Sequence, residues 1–113
     1  MPKKSGSKEF YIVTTETVPN KRIKEVLGAA WGSEVRTKGW TSNFVASMRT
    51  MRGGEVPELS NLVRDARMDV VHRMVENAKK MGANGIVGMR MLTNSVKPGM
   101  VEFVVYGTAV VVE

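Results

Sequence analysis

Apolar side chains recur at helical spacing between Val56 and Met81, where Leu59, Leu62, Val63, Ala66, Val70, Met74, Ala78 and Met81 make one near-continuous stripe. Residues three and four apart share a helix face, so the spacing predicts one long amphipathic helix. Pro57 suits its first turn, where a missing N–H leaves no bond unmade, and Gly82 suits its C-cap. Met68, Val71 and Val75 fall to one side of the stripe, which makes the apolar face wider than one sheet needs. That extra width points to a subunit contact or to methionine packed within the core.

On either side of the helix the pattern shortens toward strand periodicity. Phe10 to Thr15 is rich in β-branched and aromatic residues and runs toward a turn signal at Pro19-Asn20, which predicts a first strand. From Arg22 to Lys38, Ile23, Val26, Leu27, Ala29, Trp31 and Val35 are interrupted by Gly28 and Gly32. Glycines in such a run signal bulges or another backbone passing close by, so a long, bent second strand is expected. Thr41 or Ser42 can cap a short helix through Phe44, Val45, Met48 and Met51 that Gly53-Gly54 stops. Asn84 to Val96 and Met100 to Val112 predict two long strands joined at Lys97-Pro98-Gly99. The last one is apolar on both faces, with Val101, Phe103, Val104 and Val105 around Glu102 and a close on Ala109-Val110-Val111-Val112. A strand apolar on both sides must be covered on both sides. The pattern therefore gives an α+β fold, a two-layer β-β-α-α-β-β subunit with one long helix on an antiparallel sheet, and neighbouring copies are expected on the uncovered face.

Composition narrows this further. At 113 residues, 42% hydrophobic and 25% charged, the chain reads as a single ordinary globular domain over residues 9–113 behind a flexible basic tail at residues 1–8. No apolar run is long enough to cross a bilayer and the start lacks the apolar core of a secretory signal, so a cytoplasmic location is expected. The net charge of +6 is unevenly spread: residues 1–8 hold three lysines and no acid, residues 21–52 hold seven bases against two acids, and residues 53–113 balance seven against seven.

An ordered set of short segments carries a resemblance: Leu27-Gly28 and Gly32, then Arg49 with Gly53-Gly54, then Ala66-Arg67, then Met81-Gly82-Ala83-Asn84-Gly85-Ile86-Val87-Gly88, then Tyr106-Gly107-Thr108-Ala109-Val110. At these spacings, from about Phe10 to Val112, the chain resembles the YbjQ family, often labelled a heavy-metal-binding domain. The resemblance implies a subunit similar to dodecin-like folds that assembles as a ring, a pentamer, and it implies no defined activity. The chain departs from the family pattern at Leu59, where tyrosine is common, at Trp31, a loop position usually held by a small residue, and at Leu92, where an acidic residue often follows the strand.

The chemistry on offer is sparse. With no cysteine and one histidine, thiolate zinc sites, iron–sulfur clusters and thiol nucleophiles are excluded, and His72 and Glu76 are the remaining metal candidates. No nucleophile–base signature or phosphate loop is present, so no enzyme activity and no cofactor are expected. Asp65 and Asp69 lie one helical turn apart and read as solvated acids among Arg64, Arg67 and Arg73. Arg49, Arg52, Gly53 and Gly54 precede the long helix, where guanidinium groups, free backbone N–H groups and the helix dipole suit an anion. With Arg67, Tyr106 and Thr108 they form the ligand candidates, against the plainer reading that they stop a helix and pack subunits. Nucleic acid is the runner-up partner, through the basic segment 21–52 with Trp31, Trp40 and Phe44.

Overall fold

The structure, a computed structural model, describes residues 9–36, 57–97 and 100–113. The elements run β1 (Tyr11–Ile12), β2 (Ile23–Arg36), α1 (Pro57–Lys80), β3 (Gly85–Lys97) and β4 (Met100–Val112). The tail at residues 1–8, the short helix expected from residue 41, Gly53-Gly54 and the turn at Pro98-Gly99 lie outside the described residues, although Lys97 and Met100 pair across that turn.

Four strands form one sheet in the order β1-β3-β4-β2. β4 lies between two antiparallel neighbours, but β1 joins β3 in parallel, Tyr11 beside Gly85 and Ile12 beside Ile86. The sheet is therefore mixed, which corrects the antiparallel expectation. The parallel ladder outlasts the short strand, since Val13 N–H donates to the Ile86 carbonyl at 3.0 Å and Gly88 N–H to the Thr15 carbonyl at 2.8 Å.

The stripe on α1 meets the sheet as its spacing requires. Ala66, Val70, Met74 and Ala78 are fully buried against Ala30, Ile86, Phe103, Val105 and Ala109, with Val63, Val71 and Val75 packed at the margin. Met68 does not join them and is 60% exposed, and Met81, past the helix end, is partly exposed as well. The helix ends in a Schellman motif: Gly82 has φ +95°, Ala83 N–H donates to the Ala78 carbonyl at 3.1 Å, and Gly82 N–H to the Lys79 carbonyl at 3.0 Å.

α1 lies chiefly over β2 and reaches β4 beyond it. Such close approach needs Gly32, where an added Cβ would stand 2.1 Å from the Val70 carbonyl oxygen. Gly28, at φ +126°, sits at a shift in the β2–β4 register, so both glycines act as the strand pattern implied. The helix also covers the outer edge of β2: Asn77 Nδ2 donates to the Trp31 carbonyl at 2.8 Å and Arg73 Nη1 to the Ser33 carbonyl at 3.0 Å. These carbonyls face away from β4, and two side chains satisfy what would otherwise be an open pairing edge.

The second face of β4 is partly covered by the chain's own turn. Val18, between β1 and β2, is buried against Val87, Val110 and Val112, with Tyr11, Val13 and Ile23 beside them. Val110 and Val112 of the closing segment are thus covered on this face by the chain's own residues, while Val111 is half-buried.

Candidate functional site

Beyond Val18, among the described residues, the same face of the sheet is left partly exposed. On β4, Phe103, Val105, Gly107 and Ala109 look toward α1, so Glu102, Val104, Tyr106 and Thr108 look the other way. Register then sets their neighbours: Tyr106 stands between Trp31 and Arg90, Val104 between Ser33 and Leu92, and Glu102 between Val35 and Asn94. Since the Trp31 carbonyl points outward to Asn77, Trp31 and Tyr106 form a non-hydrogen-bonded pair, the kind in which side chains approach most closely. Trp31 is 57% exposed, Val35 and Leu92 48% each, and Tyr106 42%. Trp31 stands in the middle of a strand, where the resemblance had placed a loop.

Arg90 marks the border between the covered and bare halves. Its Nη1 donates to the Thr14 carbonyl at 3.1 Å and to the Met89 carbonyl at 2.8 Å, which fastens the covering segment to β3. The result is a ridge of aromatic and aliphatic side chains crossing three strands, edged by one guanidinium and one carboxylate. Such a surface suits a shape-complementary apolar partner, and it offers neither a nucleophile nor a set of convergent acids.

A second cluster lies on the opposite side, where β2 meets α1. Arg36 pairs with Glu34 through Nε and, through Nη2, with Asp69 Oδ2 at 2.8 Å; Arg73 Nη2 approaches Glu34 Oε1 at 3.4 Å. Asp65 and Asp69 are both exposed, as solvated helix acids are, and Asp69 is in addition held by a strand arginine. Two bases and two acids make the cluster neutral, which leaves no net attraction for an ion. Described residues also line two small clefts, one of about 380 Å³ between Glu9, Phe10, Lys79, Gly82, Ala83 and Asn84, and one of about 330 Å³ between Ala29, Ala30, Trp31, Asn77 and Met81.

The sequence-derived candidates are not gathered into one place. Tyr106 and Thr108 share the second face of β4, with Thr108 half-buried between Ala29 and Val87, while Arg67 is exposed on α1 in the other layer. Arg49, Arg52, Gly53 and Gly54 lie outside the described residues, as do Trp40 and Phe44. Within the described part of segment 21–52, Arg22 pairs with Glu113, Arg36 is held as above, and Lys21 lies 5.4 Å from the Tyr11 ring centroid, so most of its charge is already engaged. His72 and Glu76 are exposed one turn apart on α1. Among the described residues no three histidine, cysteine, aspartate or glutamate side chains converge as a metal site would require. The donors of one copy thus do not fit a soft metal, which prefers thiolate and imidazole. Sequence reasoning missed the β2–α1 charge cluster and the edge caps of Arg73 and Asn77, because each joins residues more than thirty positions apart.

Comparisons with known proteins bear on this geometry. A YbjQ family model described as "Putative heavy-metal-binding" matches residues 10–113. The chain is 42% identical over 103 residues to a UPF0145 protein of Archaeoglobus fulgidus, covering 91% of this chain and 95% of that one. It is 44% identical over 105 residues to UPF0145 proteins of Picrophilus torridus and of Pyrococcus furiosus, covering 93% of this chain and 89% and 92% of theirs. A crystal structure of a DUF74-family protein of unknown function from Pediococcus pentosaceus superposes with a TM-score of 0.57 at 17% identity, covering 92% of this chain and 98% of that one, and so supports the fold alone.

Proposed function

This chain belongs to the YbjQ family, and we propose that it works as the repeating subunit of a homo-oligomeric ring, a non-catalytic scaffold whose intersubunit clefts take a small ligand or anion. The bare half of the sheet carries this reading. Trp31, Val35, Leu92 and Tyr106 stand exposed on one face across three strands, with Trp31 directly beside Tyr106, whereas at the other end of that face Val18 is buried against Val87, Val110 and Val112. Burying one such aromatic or aliphatic side chain contributes roughly 1.5–3 kcal/mol, enough for a handful of them to hold subunits together once association entropy is offset. Five copies, the number the family resemblance implies, would close the ring without leaving a free sticky face.

Light scattering at micromolar concentration tests the reading. The expected mass is a multiple of the 12.5 kDa chain, and the pair of substitutions Trp31→Ser and Leu92→Glu is expected to shift it toward the monomer while circular dichroism stays folded. A wild-type monomer would overturn the proposal. The metal reading attached to the family is separable: elemental analysis of untagged protein is expected to find no stoichiometric heavy metal, because a single copy offers one imidazole and no thiolate.

A further inference from the structure

Asn84 is both the hub of one corner of the sheet and the first residue of the chain's one Asn-Gly step. Its backbone N–H donates to the Val110 carbonyl at 3.1 Å and its carbonyl accepts from Tyr11 N–H at 3.0 Å. Its side chain imitates a further strand residue: Nδ2 donates to the Val112 carbonyl at 2.9 Å, and Oδ1 accepts from Val112 N–H at 2.8 Å. One residue on, β4 hands over to β2, where Glu113 and Arg22 exchange both backbone hydrogen bonds at 3.0 Å.

From this geometry we infer that Asn84-Gly85 is a site of spontaneous covalent modification, deamidation to aspartyl and isoaspartyl, which pairing with Val112 holds in check until this corner opens. Gly85 carries no side chain to hinder its backbone nitrogen, which attacks the Asn84 side-chain carbonyl carbon. A C–N bond forms and closes a succinimide; the carboxamide C–N bond breaks, and its nitrogen leaves as ammonia with the proton that Gly85 gives up. Water then adds to one of the two imide carbonyls, and the bond that opens decides whether aspartate or isoaspartate results. No oxidant, reductant or enzyme is needed. The side chain cannot turn toward Gly85 while both of its polar atoms are bonded to Val112, and two such hydrogen bonds slow ring closure by about thirtyfold.

The product does not restore the corner. A carboxylate accepts from Val112 N–H but offers no donor to the Val112 carbonyl, so the end of β4 loses half its clamp. Deamidation therefore records each prolonged opening of the β4 terminus as a permanent loosening of it.

Peptide mapping by mass spectrometry tests this at mildly alkaline pH, on the folded full-length chain and on the same chain in urea. Deamidation at Asn84 is expected to be at least about tenfold slower in the folded protein, while Asn94, exposed on β3, serves as the internal reference. Equal rates at Asn84 in both states would overturn the guarding role, and an inert Asn84 in urea would overturn the site. Val112→Pro removes the N–H donor. In a variant that stays folded, the rate is expected to rise toward that in urea, and an unchanged rate would remove Val112 from the mechanism; for a variant that unfolds, the comparison of the two states decides.

Discussion

At Gly32 there is no room for a methyl group, because the helix backbone already fills the space: the nearest atoms to an added Cβ are the Val70 carbonyl oxygen at 2.1 Å and Met74 N at 2.8 Å. Backbone cannot swing aside as a side chain can. Gly32→Ala is therefore expected to lower stability by about 2–3 kcal/mol, read as a lower urea midpoint with an unchanged slope. This glycine's task was legible in the sequence, since a glycine inside a strand pattern announces a close neighbour. Asn84 was not legible in the same way. Its side chain serves Val112, 28 positions away, and no local period reveals such a bond. Asn84→Ala leaves the N–H and carbonyl of Val112 without their partners in a part-buried corner, so a loss of about 2 kcal/mol is expected in the same denaturation measurement.

Among the elements, α1 does two jobs with two of its faces. One buries Met74 completely, and Met74→Ala is expected to cost about 3 kcal/mol through lost contacts and the cavity left behind, measured by calorimetry. The other carries Arg73 and Asn77 over the outer edge of β2. Replacing both with alanine opens two carbonyls on an edge that water can reach, so stability should fall by less than about 1 kcal/mol. Edge-to-edge association should rise, seen as faster growth of turbidity on heating than in the wild type. The stripe that sets the first face was readable from spacing alone. The second was not, because Arg73 and Asn77 look like ordinary solvated helix residues until the strand beneath them is known. The parallel pairing of β1 escaped for a related reason: its partner β3 lies beyond the long helix in the chain, and β3 and β4 separate β1 from β2 in the sheet.

For the molecule as a whole, the two ends of the second sheet face are treated differently. Val18 seals one end from within the chain, and among the described residues Val35, Trp31, Tyr106 and Leu92 stay exposed at the other. A protein stabilised through that ridge by its own copies has a melting temperature that climbs with protein concentration. Such a climb over the micromolar range is expected here, and it should vanish in the Trp31→Ser, Leu92→Glu variant. A family description that names heavy metal adds no second driving force to this picture, because the donors present do not converge among the described residues.

Local periodicity by itself determined the long helix, its glycine cap, the four strands and the two glycines where backbones crowd, since each depends on residues a few positions apart. It also showed that more apolar surface was encoded than one helix could hide. Only the tertiary structure decided which part of that surface the turn around Val18 covers, that β1 runs parallel to β3, and that Asn84 and Arg36 find partners on distant elements. Those outcomes rest on register between strands far apart in the chain, and register is set by how the elements dock, which hydrophobic spacing within any one of them does not specify.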